Sequence, residues 1–166
     1  EGSSEEIGFS VKDGMDIALC TFDRKTGIFE FSAAFNPMFM VRKKGLPLHV
    51  NDSLIEPGNS NDEFSIYEIR ADKQPIGSFD DRKNFTTNAI KIEPGDSFYT
   101  FSDGFADQFG GPKGKKFMYK PMKEMLLSIQ SLAMQNQMEK IEETFSNWKS
   151  GYEQVDDVLI FGVRLV

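Results

Sequence analysis

The sequence is poor in the residues on which several classes of functional site depend. Its 166 residues contain one cysteine, Cys20, and one histidine, His49. A single cysteine excludes an intrachain disulfide and makes a reducing, cytoplasmic setting the simplest assumption. His49 lies in a loop-rich region without an acidic or cysteine neighbour close in sequence, which argues against a zinc site or a nucleophilic centre built on it.

An excess of positive charge and long apolar runs are also lacking. The chain has 19 Lys and Arg residues against 26 Asp and Glu residues, which gives a net charge of −7 and a pI near 4.8. This balance argues against nucleic acid or an anionic membrane as the main partner. No apolar run approaches the roughly 20 residues that a bilayer-spanning helix needs. We therefore expect no direct membrane insertion, although a larger parent protein could be tethered to a membrane sensor.

The order of the predicted elements indicates the fold class. Residues 1–166 fit one domain, in which Gly, Pro and Asn turns separate short strand-like runs before two helical patterns and one returning strand. This segregation predicts an α+β fold with antiparallel sheets covered by helices. Strands are predicted at residues 15–22, 28–32, 38–42, 64–70, 89–92, 97–101 and 158–166, and helices at about 119–133 and 134–149.

Two details of this pattern are specific expectations. The first strand, residues 15–22, is apolar enough to be buried largely on both faces, with Cys20 in the core. Residues 43–63 are rich in Gly, Pro and Asn and are expected to be mostly loop, with one short edge strand near Leu48.

Acidic residues follow one predicted strand and precede another. Ser102, Asp103 and Gly104 come directly after residues 97–101, and Asp156 and Asp157 open the last strand. Hard oxygen ligands at strand ends suit Mg²⁺ or Mn²⁺, and a pair of such ions can activate water for phosphoester hydrolysis. Each motif alone has an ordinary explanation as a turn; their combination favours a metal site.

Other residues near these motifs leave alternatives open. Asp107 follows Asp103 by four residues, so on a helical turn it is either a second ligand or a cap of the local turn. Residues 110–116 are rich in glycine and lysine but lack the phosphate-loop pattern, which favours a mobile surface loop. The three lysines of that segment, close to the proposed metal edge, could receive a phosphorylated substrate.

Several short segments together resemble the SpoIIE-type serine phosphatases, a bacterial branch of the PPM or protein phosphatase 2C-like family. The resemblance runs from about residue 11 to the end. Its landmarks are the segments at residues 13–19, 31–37, 73–77, 94–96, 102–111, 115–117 and 154–158.

The resemblance implies a β-sandwich flanked by helices, with a binuclear Mn²⁺ or Mg²⁺ centre whose bound water attacks phosphoserine or phosphothreonine. Asp103 and Asp156 match the family's metal-binding aspartates, and Asp107 matches a downstream acidic position that supports an additional, weaker metal. Gly104 and Asp157 are further candidates for a ligand or for a position that supports one. The implied partner is a phosphorylated regulatory protein, such as an anti-sigma-factor antagonist.

The sequence departs from the family pattern at its beginning. An earlier Gly-Asp motif and an Asp-x-x-Gly-His-Gly motif, which supply the other metal ligands, are not found here. We therefore expect an N-terminally shortened domain that binds metal weakly, turns over poorly and forms a homodimer or swapped arrangement. The alternative is a non-catalytic phosphatase-like module that presents the two helices to a protein partner.

Overall fold

A computed structural model describes residues 14–77 and 83–165 of the chain, and the structural statements below concern those residues. The strands are β1 (Gly14–Met15), β2 (Ile17–Asp23), β3 (Ile28–Ala34), β4 (Met38–Lys43), β5 (Leu48–Val50), β6 (Ser53–Ile55), β7 (Asn59–Ser60), β8 (Phe64–Ile69), β9 (Ile76–Gly77), β10 (Asn88–Lys91), β11 (Ser97–Phe101), β12 (Phe109–Gly110), β13 (Lys115–Lys116) and β14 (Ile160–Arg164). The helices are α1 (Gly104–Asp107), α2 (Tyr119–Ser128) and α3 (Met134–Lys149).

Two five-stranded antiparallel sheets form the body of the domain. The first has the strand order β2-β3-β10-β5-β6, and the second has the order β14-β11-β4-β8-β7. One cluster of buried side chains, which includes Phe31 and Ile90 of the first sheet and Met40 and Phe98 of the second, lies between them. The sheets therefore pack face to face as a sandwich, and the predicted α+β class is confirmed.

The helices cover the other face of the second sheet. Phe39 and Tyr99 of that sheet pack with Phe105 of α1 and with Met122 and Leu126 of α2 in a second buried cluster. The sheet contributes to both clusters because successive strand residues point to opposite faces. The apolar side of α2 is consequently part of the core and is not available to a protein partner.

A buried ion pair ties the start of β11 to the end of β4. The Arg42 guanidinium donates to both carboxylate oxygens of Asp96, from Nε at 3.0 Å and from Nη2 at 2.6 Å. Arg42 also donates to the backbone oxygens of Pro47 and Lys91. Both charges are almost fully buried, so their mutual hydrogen bonds offset the cost of removing them from water. The strand that leads to Asp103 is thus fixed at its first end.

The prediction for the first strand is wrong in its burial. Every residue of β2 is exposed, Cys20 included, and Leu19 retains 60% of its accessible surface. The reason is position, because β2 is an edge strand whose neighbour among the described residues is β3 alone. By register, Cys20 lies opposite Phe31 on the face that leads into the core, yet no described element covers it. The expected homodimer stays a prediction.

Most other element predictions hold with shifted ends. The helical spacing is confirmed by α2 and α3, and α3 ends at Lys149, directly before Ser150 and its left-handed backbone. The last strand is shorter than predicted, and Val166 lies outside the described residues. Residues 43–63 contain three short strands, β5 to β7, rather than one.

Residues 110–116 are predicted to be a mobile surface loop, and the structure corrects this in part, because Gly110 and residues 115–116 lie in paired strands joined by a turn. They belong to a hairpin in which β12 pairs with β13. The hairpin lies against the end of α3, where the Gly111 amide donates to the Trp148 backbone oxygen at 2.9 Å. Glycine is needed there, because a Cβ added to Gly110 would lie 2.0 Å from that same oxygen. In the described part of the chain, no helix is long and apolar enough to cross a membrane.

Candidate functional site

Asp103 lies at the junction between β11 and α1. The buried strand β11 ends at Phe101, and α1 begins at Gly104. The Asp107 amide donates to the Asp103 backbone oxygen at 2.9 Å, so Asp103 to Asp107 form one helical turn. The Asp103 side chain is exposed at the rim of the sheet. A rigid strand therefore delivers an accessible carboxylate to the edge of the sandwich, as the sequence predicts.

Ser102 joins this turn to the segment that contains the second acidic motif. Its hydroxyl donates to the Asp157 backbone oxygen at 2.7 Å and accepts from the Leu159 amide at 2.9 Å. The Ser102 amide also donates to the Leu159 backbone oxygen at 3.0 Å. These three bonds extend the pairing of β11 with β14 by one step, and they place the two acidic motifs at the same end of neighbouring strands.

Gly104 allows the two segments to approach closely. A Cβ at this position would lie 2.4 Å from the Asp157 backbone oxygen, closer than side chains tolerate. Gly104 is thus a requirement of the junction, while its support of a metal site stays a prediction.

Asp156 and Asp157 are both exposed beside this junction. One carboxylate oxygen of Asp156 accepts from the Asp157 amide at 2.7 Å, and the Asp156 backbone oxygen accepts from the Gln154 side chain at 2.9 Å. These local bonds hold the Asp156 carboxylate on its own turn.

Asp107 has a partner that the sequence pattern did not indicate. Its Oδ2 atom lies 2.8 Å from Nζ of Lys116 in β13. The ring of Tyr119 lies nearby at the start of α2, and burial together with the charges of Asp103 and Asp107 raises the pKa of its phenol. The charges of Asp103 and Asp107 thus both reach the Tyr119 phenol. The Asp107 carboxylate is already paired with the Lys116 ammonium.

Asp16 is a further acidic neighbour that the sequence analysis missed as a site residue. Partial burial, and after it the negative charge of Asp103, raises the pKa of Asp16. The Asp16 carboxylate also lies 3.5 Å from the side-chain nitrogen of Asn36. Asp16 precedes β2, far from Asp103 in sequence, so only the packing of the first sheet against the second brings the two together.

The carboxylates fit part of a hard-cation site and not a whole one. Oxygen ligands are the right donors for Mg²⁺ or Mn²⁺. Across residues 14–77 and 83–165, however, no three His, Cys, Asp or Glu side chains gather closely enough to hold a metal ion. The assignments of Asp103 and Asp156 as ligands, and of Asp107 and Asp157 as supporting groups, stay predictions.

Comparison with known proteins places this arrangement in a family. Residues 8–166 match the family described as Stage II sporulation protein E (SpoIIE). The chain belongs to the SpoIIE family. A comparison with curated proteins gives no significant match.

Solved structures show the same fold. The chain is similar to the SiaA-PP2C domain of Pseudomonas aeruginosa, with a TM-score of 0.73 and 23% identity over 92% of this chain and 52% of that one. It is also similar to the phosphatase domain of the cell fate determinant SpoIIE from Bacillus subtilis, with a TM-score of 0.55 and 14% identity over 90% and 58% of the two chains. A Mn-presoaked structure of that domain gives a TM-score of 0.56 and 17% identity over 91% and 56%.

The predicted kinship with SpoIIE-type phosphatase domains is therefore confirmed. This chain spans a little over half the length of the solved domains that it matches. Because identity to each of them is below 25%, these structures establish the fold alone. The roles of the acidic edge, which consists of Asp103, Asp107, Asp156 and Asp157, depend on the geometry of these residues in this chain.

Proposed function

We propose that this SpoIIE-family domain serves a metal-dependent serine/threonine protein phosphatase that acts on a phosphorylated bacterial regulatory protein. The observation that carries the proposal is the hydrogen-bonded junction of Ser102 with Asp157 and Leu159. This junction brings two acidic segments, more than 50 residues apart in sequence, to one edge of a sandwich of the phosphatase fold.

Asp103 and Asp156 are the proposed ligands, with Mn²⁺ or Mg²⁺ as the metal. When bound, such an ion would supply charge neutralisation and an acidified water for attack on phosphorus. No three such ligands gather among the described residues, and we propose that residues outside the described set complete the centre. The isolated chain is accordingly proposed to bind metal weakly and to have low activity.

The chain's own residues have roles that do not depend on a bound ion. The buried strand β11 and the Ser102 bonds fix the backbone on both sides of the edge, which limits the movement of the carboxylates. The exposed positions of Asp103 and Asp156 leave them open to a phosphoprotein surface. A rigid support with accessible acidic groups is what preorganised phosphoester hydrolysis needs.

The test is Mn²⁺-dependent hydrolysis of p-nitrophenyl phosphate by the full-length protein. We expect Asp103→Asn to abolish turnover. Asp62→Asn is a matched control, because Asp62 is exposed and lies next to Asn61, which bonds to Leu127 near the far end of α2. Equal activity of the two variants, or activity that persists without a divalent cation, would contradict the proposal.

A further inference from the structure

The outer edge of β2 is the longest unpaired strand edge of the two five-stranded sheets in the described part of the chain. β2 has seven residues and pairs with β3 alone, whereas the outer strands β6 and β7 have three and two residues. The remaining outer strand, β14, contains Gly162 and ends at Arg164. An unpaired edge presents a row of backbone donors and acceptors that can pair with another strand. Strand addition at β2 would therefore form the most backbone hydrogen bonds.

The side chains of β2 do not protect this edge from pairing. Residues 17–22 contain no charged residue and no proline, which are the residue types that edge strands commonly use to avoid association. All of these residues are exposed, and Ile17, Leu19 and Phe22 each keep at least 38% of their accessible surface. The edge is therefore both apolar and open to a partner strand.

Charged residues of opposite sign flank the two ends of β2. Asp16 directly precedes the strand, Arg24 directly follows it, and both are exposed. Asp16 is also close enough to Asp103 for their negative charges to interact. The strand thus has a negative end, which lies near the acidic edge, and a positive end at the turn that leads to β3.

One two-fold symmetric pairing of β2 with a second copy matches these ends. When a sheet continues across a two-fold axis, the two copies of the strand run antiparallel and one residue lies opposite itself. With Cys20 at that centre, Asp16 of each copy lies opposite Arg24 of the other. Moving the centre by one residue in either direction places Asp16 opposite an uncharged residue. Because opposite charges on facing residues stabilise a strand pair, the register centred on Cys20 is favoured.

We propose that two copies of this chain associate through their β2 strands, in the register centred on Cys20, and join their first sheets into one continuous antiparallel sheet. The symmetry forms the pair of Asp16 with Arg24 twice. It also aligns the apolar residues of both strands on the face that leads into the core. The inference goes beyond the proposed function and does not depend on it. One consequence is that Arg24 of the second copy comes to lie beside Asp16, next to the acidic edge.

The first experiment measures self-association of the chain by sedimentation velocity in a reducing buffer. We expect a concentration-dependent dimer. Arg24→Glu turns two attractive pairs into repulsive ones and should raise the dimer Kd about tenfold. Lys25→Glu makes the same change in net charge at the next position, which faces Met15, and should leave Kd within about twofold. Adding Asp16→Lys to Arg24→Glu reverses both charges and should restore association.

The second experiment tests the register. Facing residues of antiparallel strands have Cα atoms about 4.5–5.5 Å apart, which is within the range that a disulfide spans. Air oxidation catalysed by copper phenanthroline should therefore convert two Cys20 thiols, one from each copy, into an intermolecular disulfide. The matched control is Cys20→Ser with Ile17→Cys, which keeps one thiol on the same strand. Because Ile17 faces Asp23 and lies about 20 Å from its own copy, this variant should link about tenfold more slowly.

Several outcomes would overturn the inference. These are a chain that stays monomeric at every concentration, equal effects of Arg24→Glu and Lys25→Glu, failure of the double charge reversal to restore association, and equal linking through Ile17→Cys and Cys20. A monomer whose Cys20 is protected from a maleimide would mean that another part of the same chain covers the edge, and would also overturn it. Phosphatase activity plays no part in these readouts, so failure of the proposed function would leave them unchanged.

Discussion

Replacement of Gly104 by alanine perturbs the contact between the two acidic segments while leaving every carboxylate in place. The added Cβ would lie 2.4 Å from the Asp157 oxygen, 3.0 Å from its carbonyl carbon and 3.3 Å from a methyl group of Val158. Two of these neighbours are backbone atoms, which cannot change rotamer. The chain around Asp157 must therefore move away from α1, and this movement also stretches the bond that the Asp157 oxygen accepts from Ser102.

The expected loss of stability follows from three contributions. Overpacking of this kind costs about 1–3 kcal/mol, and the stretched hydrogen bond costs about 1 kcal/mol. Alanine gains about 1 kcal/mol over glycine within a helical turn. The free energy of unfolding should thus fall by about 1–3 kcal/mol, measured by urea denaturation monitored by circular dichroism.

Gly151→Ala is the matched control, because a Cβ at Gly151 meets nothing within 4 Å. We expect its stability to stay within about 0.5 kcal/mol of the unmodified chain, as surface substitutions usually do. Amide resonances of Asp157 and Val158 should shift in Gly104→Ala alone. If Gly104→Ala proved as stable as Gly151→Ala, the close approach of the two segments would be refuted.

Three other predictions concern the scaffold. Asp96→Asn leaves the Arg42 charge buried without a counter-charge and should lower the free energy of unfolding in urea by about 3–5 kcal/mol; a loss below 1 kcal/mol would argue against a buried pair. Burial raises the pKa of Tyr99 to about 12. The stability that depends on the neutral phenol is therefore complete below pH 10, because the phenol of the unfolded chain ionises around that pH. As the pH rises from 10 to 12, about 2–3 kcal/mol of the free energy of unfolding is lost. Tyr99→Phe should flatten that part of the pH profile of stability, and an unchanged slope would contradict this origin. Gly110→Ala places a Cβ 2.0 Å from the Trp148 oxygen and should cost about 1–3 kcal/mol in thermal or urea unfolding, whereas an unaffected midpoint would mean that the hairpin is not seated on α3.

Local sequence patterns predict the helices and strands whose formation depends mainly on residues near one another in sequence. The helical spacing of Met134, Met138 and Ile141 predicts α3, and the run before Asp103 predicts the strand that delivers it. A sequence pattern does not show which other parts of the molecule pack against a given strand or helix. The apolar run of β2 predicts a strand correctly, but its burial depends on neighbours that the described residues do not provide on its outer edge.

The contacts that shape the candidate site join residues distant in sequence. The partners of the ion pair between Arg42 and Asp96 are 54 positions apart, and the Ser102 bond to Asp157 spans 55. The pair of Lys116 with Asp107 spans only nine positions, yet it requires a hairpin that the glycine-rich composition of residues 110–116 does not reveal. The hairpin also packs closely against Trp148, a residue far from it in sequence.

The most direct test of a shared acidic edge is paramagnetic broadening of amide resonances by Mn²⁺. The account predicts that signals of residues 102–107 and 154–158 broaden together at the same Mn²⁺ concentration. It also predicts that Asp103→Asn suppresses both effects and that signals around Asp62 persist. Broadening of only one of the two segments, or broadening of both that survives Asp103→Asn, would contradict the account.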